Sequence, residues 1–149
     1  MKKLLIVLSL GAALGLSACQ AILQNPTTPD GRVAIAYKAL QDNDENEWTF
    51  SFTGPMITRY GSEESMDEVR ARLAVYEEKE ISDAVLTKTV RDKEGRDRVR
   101  VYDIKVTGKK DSNSGRSVIY DITVTCTIEE YDETFGIEKT RPCYITGMR

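Results

Sequence analysis

The sequence predicts an α+β fold in which N-terminal helices pack on a four-stranded antiparallel sheet. Apolar residues recur at helical spacing as far as Tyr76, and from Ile81 onward they alternate with polar residues. An alternating sheet has one apolar face that must be covered, and the N-terminal helices are the available cover. The length of 149 residues and the hydrophobic share of 40% fit a single globular domain.

The first helix is predicted from its start signals. Thr28 can cap it, and Pro29 suits the first helical position. Val33, Ala36 and Leu40 then recur at helical spacing and form its apolar face. A polar, acidic run follows and is expected to end the helix.

The next two segments differ in pattern. Aromatic residues alternate with polar ones from Trp48 to Phe52, which favours a short strand, although a second helix also fits so short a segment. Ser62 or Ser65 is expected to start the following helix, because both are good caps and an apolar stripe ending at Tyr76 comes next.

The second half of the chain reads as a meander of strands. In the second strand the apolar phase slips between Val101 and Tyr102, and a β-bulge in that strand would restore the facing. Gly- and Asn-containing turns separate the strands. The four predicted strands cover residues 81–91, 98–107, 117–129 and 137–147.

The N-terminus has the features of an export signal. Met1 to Lys3 is a short positive segment, and Leu4 to Leu16 is an almost unbroken apolar stretch. As a helix this stretch would span about 20 Å, whereas a bilayer core needs about 30 Å. It therefore fits the central part of a secretory signal peptide better than a membrane-spanning helix.

The residues Leu16-Ser17-Ala18-Cys19 match a lipobox, and with them the N-terminus resembles that of a bacterial lipoprotein precursor. The resemblance implies a diacylglyceryl group on the Cys19 sulfur and cleavage after Ala18. The alternative is an ordinary secreted protein in which Cys19 pairs with another cysteine. The lipoprotein interpretation divides the chain into a signal peptide at 1–18, a lipidated N-terminus and tether at 19–28, and a single α+β domain at 29–149.

The same resemblance predicts the location. It implies that the N-terminus is attached to a membrane through lipid on Cys19. Two or more acyl chains give stable attachment. Gln20 follows the cysteine, and the absence of Asp there implies the outer membrane, facing the periplasm. If the source has a single membrane, the same anchor implies the outer cell face.

With Cys19 lipidated, Cys126 and Cys143 remain, and an exported domain with two cysteines predicts one disulfide. Both lie on predicted strands and can face each other across the last hairpin. The alternative is a redox-active pair, for which a C-x-x-C spacing would be typical, not the 16 residues that separate these two.

The proposed bridge fixes a register for that hairpin. If the two cysteines are opposite each other, Glu129 pairs with Thr140 and Asp132 with Ile137. The loop is then residues 133–136, an acceptable hairpin length with Gly at its end.

The order of helices and strands resembles the small cone-shaped domains related to nuclear transport factor two and the cystatins. In such a cone, aromatic side chains either line a concave pocket for a small apolar ligand or peptide, or fill the core between helices and sheet. The residues in question are Trp48, Phe50, Tyr102 and Tyr120.

Chemistry-bearing residues are few. The chain has no histidine, which excludes histidine-based triads and removes the commonest metal ligand. Asp42, Asp44 and Asn46 resemble the start of a calcium loop, but the required glycine and distal glutamate are missing. Asp103 and Asp121 lie on strands that can bring them together, as a glycosidase would need. We expect no metal and no cofactor.

Charge excludes a further class of function. The formal net charge is −3, and the five basic residues between Arg91 and Arg100 are interrupted by acidic ones. They predict a mixed-charge exposed turn, not a nucleic-acid surface. The sequence therefore predicts a non-catalytic, lipid-anchored interaction module that contacts another envelope protein. The alternative is a small-ligand carrier or histidine-free enzyme that uses a cone cavity.

Overall fold

The computed structural model describes residues 25–149 and confirms the α+β class, with four helices and a curled antiparallel sheet of six strands. The predicted signal peptide and Cys19 lie outside the described residues. The helices are α1 Pro29–Asp42, α2 Glu45–Phe50, α3 Gly54–Tyr60 and α4 Glu63–Ala74. The strands are β1 Glu78–Ile81, β2 Val85–Arg91, β3 Asp97–Lys109, β4 Ser117–Asp132, β5 Ile137–Thr140 and β6 Tyr144–Met148.

Local capping explains where the two longer helices begin. The Thr28 hydroxyl accepts from the Gly31 amide at 3.1 Å and starts α1, as predicted. The Ser62 hydroxyl accepts from the Ser65 amide at 3.1 Å, so Ser62 and not Ser65 is the cap of α4. At the other end of α1, Asn43 adopts a left-handed conformation that stops the helix.

The predicted strand at 48–52 is wrong, because this segment is mostly helix α2. The Asp44 carboxylate accepts from the Glu47 amide and caps the helix. Trp48 and Phe52 are both buried, whereas Phe50 between them is 69% exposed. That pattern follows from i,i+4 spacing on a helical face, whereas a strand would put all three aromatic rings on one side.

The sheet has six strands instead of four because one strand was not predicted and the last predicted strand is interrupted. β1 shares only Ile81 with the first predicted strand and is separated from β2 by a break at residues 82–84, and the last predicted strand divides into β5 and β6 at residues 141–143. Pro142 lies in the second break and has no amide hydrogen to give to a ladder. β1 and β2 both pair with β3, β3 pairs with β4, and β4 pairs with β5 and β6.

The predicted bulge in the second strand is wrong at the phase slip. β3 pairs with β4 without interruption from Val99 to Val106. Across from the phase slip, Leu86 pairs with Tyr102 and Lys88 with Val101, so the extra residue is Thr87 of β2. Because β3 itself alternates regularly, its apolar residues before the slip face outward and those after it face inward, and the slip marks where the helix cover of the sheet begins.

The last hairpin is close to its predicted form. A disulfide joins Cys126 to Cys143, and Asp132 pairs with Ile137. Thr140, however, pairs with Ile128 and not Glu129, because a bulge shifts the register by one residue. The loop occupies residues 133–136, and the final glycine has a φ of 63°, in the region that favours glycine.

The helices cover only part of the sheet. Val33, Leu40 and Met66 pack against the inner face around Ile104 and Ile122, and all five are buried. By contrast, no residue is buried in the stretches 85–103 and 129–140, which form the far ends of two hairpins. We call these two stretches the wing, and the remainder of the domain the helix-covered half.

Candidate functional site

The space between helices and sheet is almost filled. An apolar cavity of about 30 Å³ lies there, lined by Trp48 and Tyr120 among other core residues. Pockets that hold small organic ligands measure about 300–1,000 Å³, and a single water needs roughly 10–15 Å³. The cavity therefore has room for one or two waters and not for an organic ligand.

Of the four aromatic residues that could line a pocket or fill the core, two lie together in the core and two do not. Trp48 and Tyr120 are 3% and 5% exposed and belong to the core. Phe50 points outward from α2, and Tyr102 is half-buried on β3. The Trp48 indole donates a hydrogen bond to the Tyr60 carbonyl oxygen, so its polar atom is satisfied within the core.

The disulfide is part of a junction that sequence analysis did not find. Cys143 is fully buried; its amide donates to the Pro26 carbonyl at 2.6 Å, and its carbonyl accepts from Arg32 Nε at 2.5 Å. Residues 25–28, the last four of the predicted segment 19–28, thus form hydrogen bonds with the domain or with one another. One cysteine therefore joins the entering chain, the first helix and the sheet.

Arg32 is an unusual group, because it is only 5% exposed. Burial lowers the pKa of its guanidinium, and Glu47, with its carboxylate at 4.0 Å, partly offsets this effect. The guanidinium also lies 5.4 Å from the centre of the Tyr144 ring. Its helical spacing to Ala36 and Ala39 on the buried face was the signal that could have identified it.

A network of ion pairs organises the wing around Asp92. One carboxylate oxygen accepts from the amides of Glu94 and Arg96, each at 3.0 Å. The other accepts from the Arg96 and Arg98 guanidinium groups at 3.1 and 2.9 Å. Desolvation acts to raise the pKa of Asp92, but these hydrogen bonds and charges outweigh it and lower the pKa to about 2.

The same network links the two hairpins of the wing. Arg100 forms a two-pronged pair with Glu138 at 2.9 Å and also reaches Asp97 at 3.0 Å. The hydrogen bond from Arg100 lowers the pKa of Glu138, and the Tyr131 hydroxyl donates to the Asp97 carbonyl. The four arginines between positions 91 and 100 are therefore paired inside a mixed-charge region, as the sequence predicted, and ion pairs from Arg96 and Arg100 also fix one hairpin against the other.

Apolar side chains project from this charged framework. Phe135, at the tip of the β4–β5 hairpin, is 75% exposed. Other exposed apolar residues lie on the helix-covered half, including Phe50 and Val75, but they are spread over separate elements. The exposed apolar residues of the wing are Val85, Leu86, Val90, Phe135 and Ile137.

The two candidate carboxylates, Asp103 and Asp121, come together around one lysine. Lys105 Nζ lies 2.8 Å from Asp103 and 3.2 Å from Asp121. Hydrogen bonding with Asp121, and then with Lys105, lowers the pKa of Asp103. A glycosidase needs one carboxyl group with a raised pKa to act as the general acid. Asp103 is therefore an ionised partner of Lys105.

The acidic run after α1 has structural partners. Asp42 pairs with Lys38 at 2.8 Å, and Asp44 caps α2. Across residues 25–149, no three side chains of His, Cys, Asp or Glu are arranged to hold a metal ion. Over the same range, no helix has the length and apolar character that crossing a bilayer requires.

No protein-family model, curated protein or solved structure matches this chain.

Proposed function

We propose that this protein is a lipid-anchored envelope protein whose domain is a non-catalytic interaction module, with the wing as its contact surface. The observation that carries the proposal is the contrast between a filled interior and an uncovered half-sheet. The helix-covered half leaves about 30 Å³ of internal space. The wing, in contrast, exposes five apolar side chains on a framework fixed by ion pairs. Exposed apolar groups with a polar surround are typical of protein contacts.

The anchor is supported by the order of basic residues, apolar stretch and lipobox at the N-terminus. In this proposal Cys19 carries the lipid, and the domain lies at the outer membrane facing the periplasm. The hydrogen bond between Pro26 and Cys143 leaves only a short segment between lipid and domain. A disulfide at Cys126–Cys143 suits an oxidising compartment.

The alternative of a ligand carrier or histidine-free enzyme has less support. It needs a cavity, and the internal space of about 30 Å³ is far below the roughly 300 Å³ at which ligand pockets begin. A glycosidase also needs a carboxyl group that stays protonated, and the lowered pKa of Asp103 argues against Asp103 in that role. The concavities beside α1 and beside the β4–β5 hairpin are open to solvent and lined mainly by charged side chains.

The contact surface can be tested by photo-crosslinking in living cells. A benzophenone amino acid replaces Phe135 in one strain and Phe50 in another, two positions of similar exposure at 75% and 69%. We expect position 135 to give one dominant protein adduct and position 50 to give little. Equal adducts from both positions, or none from any position in the wing, would contradict the proposal.

The anchor needs a separate test. Labelled palmitate is expected to enter the wild-type protein and not Cys19→Ser, and the variant is expected to leave the membrane fraction. The purified domain of the variant should keep its disulfide, since Cys126 and Cys143 pair with each other. If Cys19→Ser stays in the membrane fraction as the wild-type protein does, the proposed lipid anchor is wrong.

A further inference from the structure

The edges of the sheet are protected unequally. The edge of β6 is covered, because the Ile145 amide donates to the Ser51 carbonyl at 2.8 Å and the Thr53 amide donates to the Ile145 carbonyl at 3.2 Å. β1 and β5 are short, with four residues each. β2 has seven residues and, among the described residues, pairs only with β3. One row of its backbone groups therefore faces away from the sheet.

The side chains of β2 alternate in a defined way. Val85, Lys88 and Val90 pair with Asp103, Val101 and Val99 and so share the outer face of the sheet, with the bulge at Thr87 keeping them in phase. Leu86 and Thr89 lie on the inner face. The three apolar residues of the strand are between 44% and 60% exposed. The strand is thus both unpaired along its edge and apolar on both sides of it.

We propose that β2 receives an extended segment of the partner protein as an additional strand of the sheet. This inference rests on the proposed function and names the site of contact. Backbone hydrogen bonds along the open edge would give attachment, and the alternating side chains would give selectivity. The segment is expected to carry an acidic residue beside Lys88, with apolar residues two positions away on either side.

The charge of β2 determines this choice of partner. The strand contains Lys88 and Arg91 and no acidic residue. Arg91 pairs with Asp97 at 2.9 Å, whereas Lys88 is exposed and forms no ion pair with any described residue. A carboxylate directly opposite Lys88 would be favourable in a cross-strand pair, and a second cation would be unfavourable.

A second copy of this chain is the less favourable occupant. Antiparallel pairing of two β2 strands has its longest overlap when it is centred on Lys88. That register puts the two Lys88 side chains directly opposite each other, and like charges in that position are destabilising. Lys88 therefore acts against self-pairing and in favour of an acidic partner.

The test uses the full-length, membrane-anchored protein in cells. A benzophenone amino acid is placed at position 89, on the inner face, or at position 90, on the outer face. A strand added to the edge contacts both faces, so both positions are expected to give adducts with the same partner. Peptide mapping is expected to locate the two attachment points within a few residues of each other, in an extended segment that contains Asp or Glu.

Charge reversal provides the control. Lys88→Glu is expected to reduce the adduct from position 90 by about tenfold or more, because like charges face each other in the complex. Lys93→Glu makes the same charge change at an exposed position in the β2–β3 turn and is expected to have little effect. Thermal unfolding of both variants checks that the domain is intact, so that a loss of adduct reflects contact and not folding.

Several results would overturn the inference. An adduct from only one of positions 89 and 90 would indicate docking on a face, and an adduct with a second copy would indicate self-pairing. An equal loss with Lys93→Glu would indicate a general charge effect. If position 135 gives an adduct while β2 gives none, strand addition is wrong and the proposed function stands. If no wing position gives an adduct, both fail.

Discussion

The helix-covered half and the wing use the same sheet in opposite ways. In the first, buried Ile104 and Ile122 pack under the helices, and the edge of β6 is closed by the segment after α2. In the second, no residue is buried, the order comes from carboxylate–arginine pairs, and the edge of β2 is open. The stability of the fold therefore depends mainly on the helix-covered half, and the wing is available to contact a partner protein.

This division predicts that substitutions separate into two groups. Changes in the helix-covered half should lower the free energy of unfolding, because they create cavities or leave buried polar groups unpaired. Changes of exposed apolar residues in the wing should alter the free energy of unfolding by no more than about 0.5 kcal/mol while reducing contact with the partner.

The largest expected effect is at Trp48. Trp48→Ala removes a ring that is 3% exposed and is expected to lower the free energy of unfolding by about 3–5 kcal/mol. Phe50→Ala, two residues away on the exposed side of the same helix, should change it by less than about 0.5 kcal/mol. Urea denaturation of both variants measures the difference. Similar losses of unfolding free energy in the two variants would contradict the distinction between the buried and the exposed face of α2.

The disulfide should rank next. Replacing both Cys126 and Cys143 with Ser is expected to lower the free energy of unfolding by about 2–4 kcal/mol, because the bridge restricts the unfolded chain. The matched control is Cys19→Ser, which alters a cysteine outside the domain. If chemical denaturation of the double variant matches that of the control, the bridge has no structural role.

The junction at Cys143 has its own test. Arg32→Met keeps most of the buried side-chain volume but leaves the Cys143 carbonyl without its donor, at a cost of about 1–3 kcal/mol. Lys38→Met lies on the same helix and removes only an exposed pair with Asp42, which is worth about 0.3–0.5 kcal/mol. Hydrogen exchange should also show faster opening at the start of α1 in Arg32→Met alone.

The smallest effect concerns pH and is local to the wing. The pKa of Asp92 falls from its ordinary 3.8 to about 2 on folding, so the folded state binds this proton less readily than the unfolded state. Its stabilising contribution is therefore complete above pH 4 and is lost as the pH falls from about 4 to about 2. The amide signals of Glu94 and Arg96 should report this titration by NMR, and Asp92→Asn should abolish it.

Much of the fold could be predicted because its signals are local. The caps of α1 and α4, the loop at 133–136 and the pairing of the two cysteines all follow from residues that are near in sequence or share one strand period. The segment 48–52 was predicted wrongly because aromatic residues at 48, 50 and 52 fit a strand, whereas its cap, Asp44, lies outside that window.

The remaining features depend on long-range packing. Arg32 and Cys143 are 111 residues apart in the chain, so no local pattern links them. The phase slip in β3 is a change of apolar face along a regular strand, and it depends on how far the helices cover the sheet. The predicted pocket residues could not be separated into core and surface, because their exposure depends on helix orientation and on how much of the sheet the helices cover.

The most direct test is hydroxyl-radical footprinting of the anchored protein in intact cells, compared with the same protein purified without partners. We expect protection in cells to be confined to the wing, at Val85, Leu86, Val90, Phe135 and Ile137. Phe50, Ile57 and Val75 should react equally in both samples, although they are also exposed. Protection of those three residues, or equal reactivity of the wing in both samples, would contradict the account.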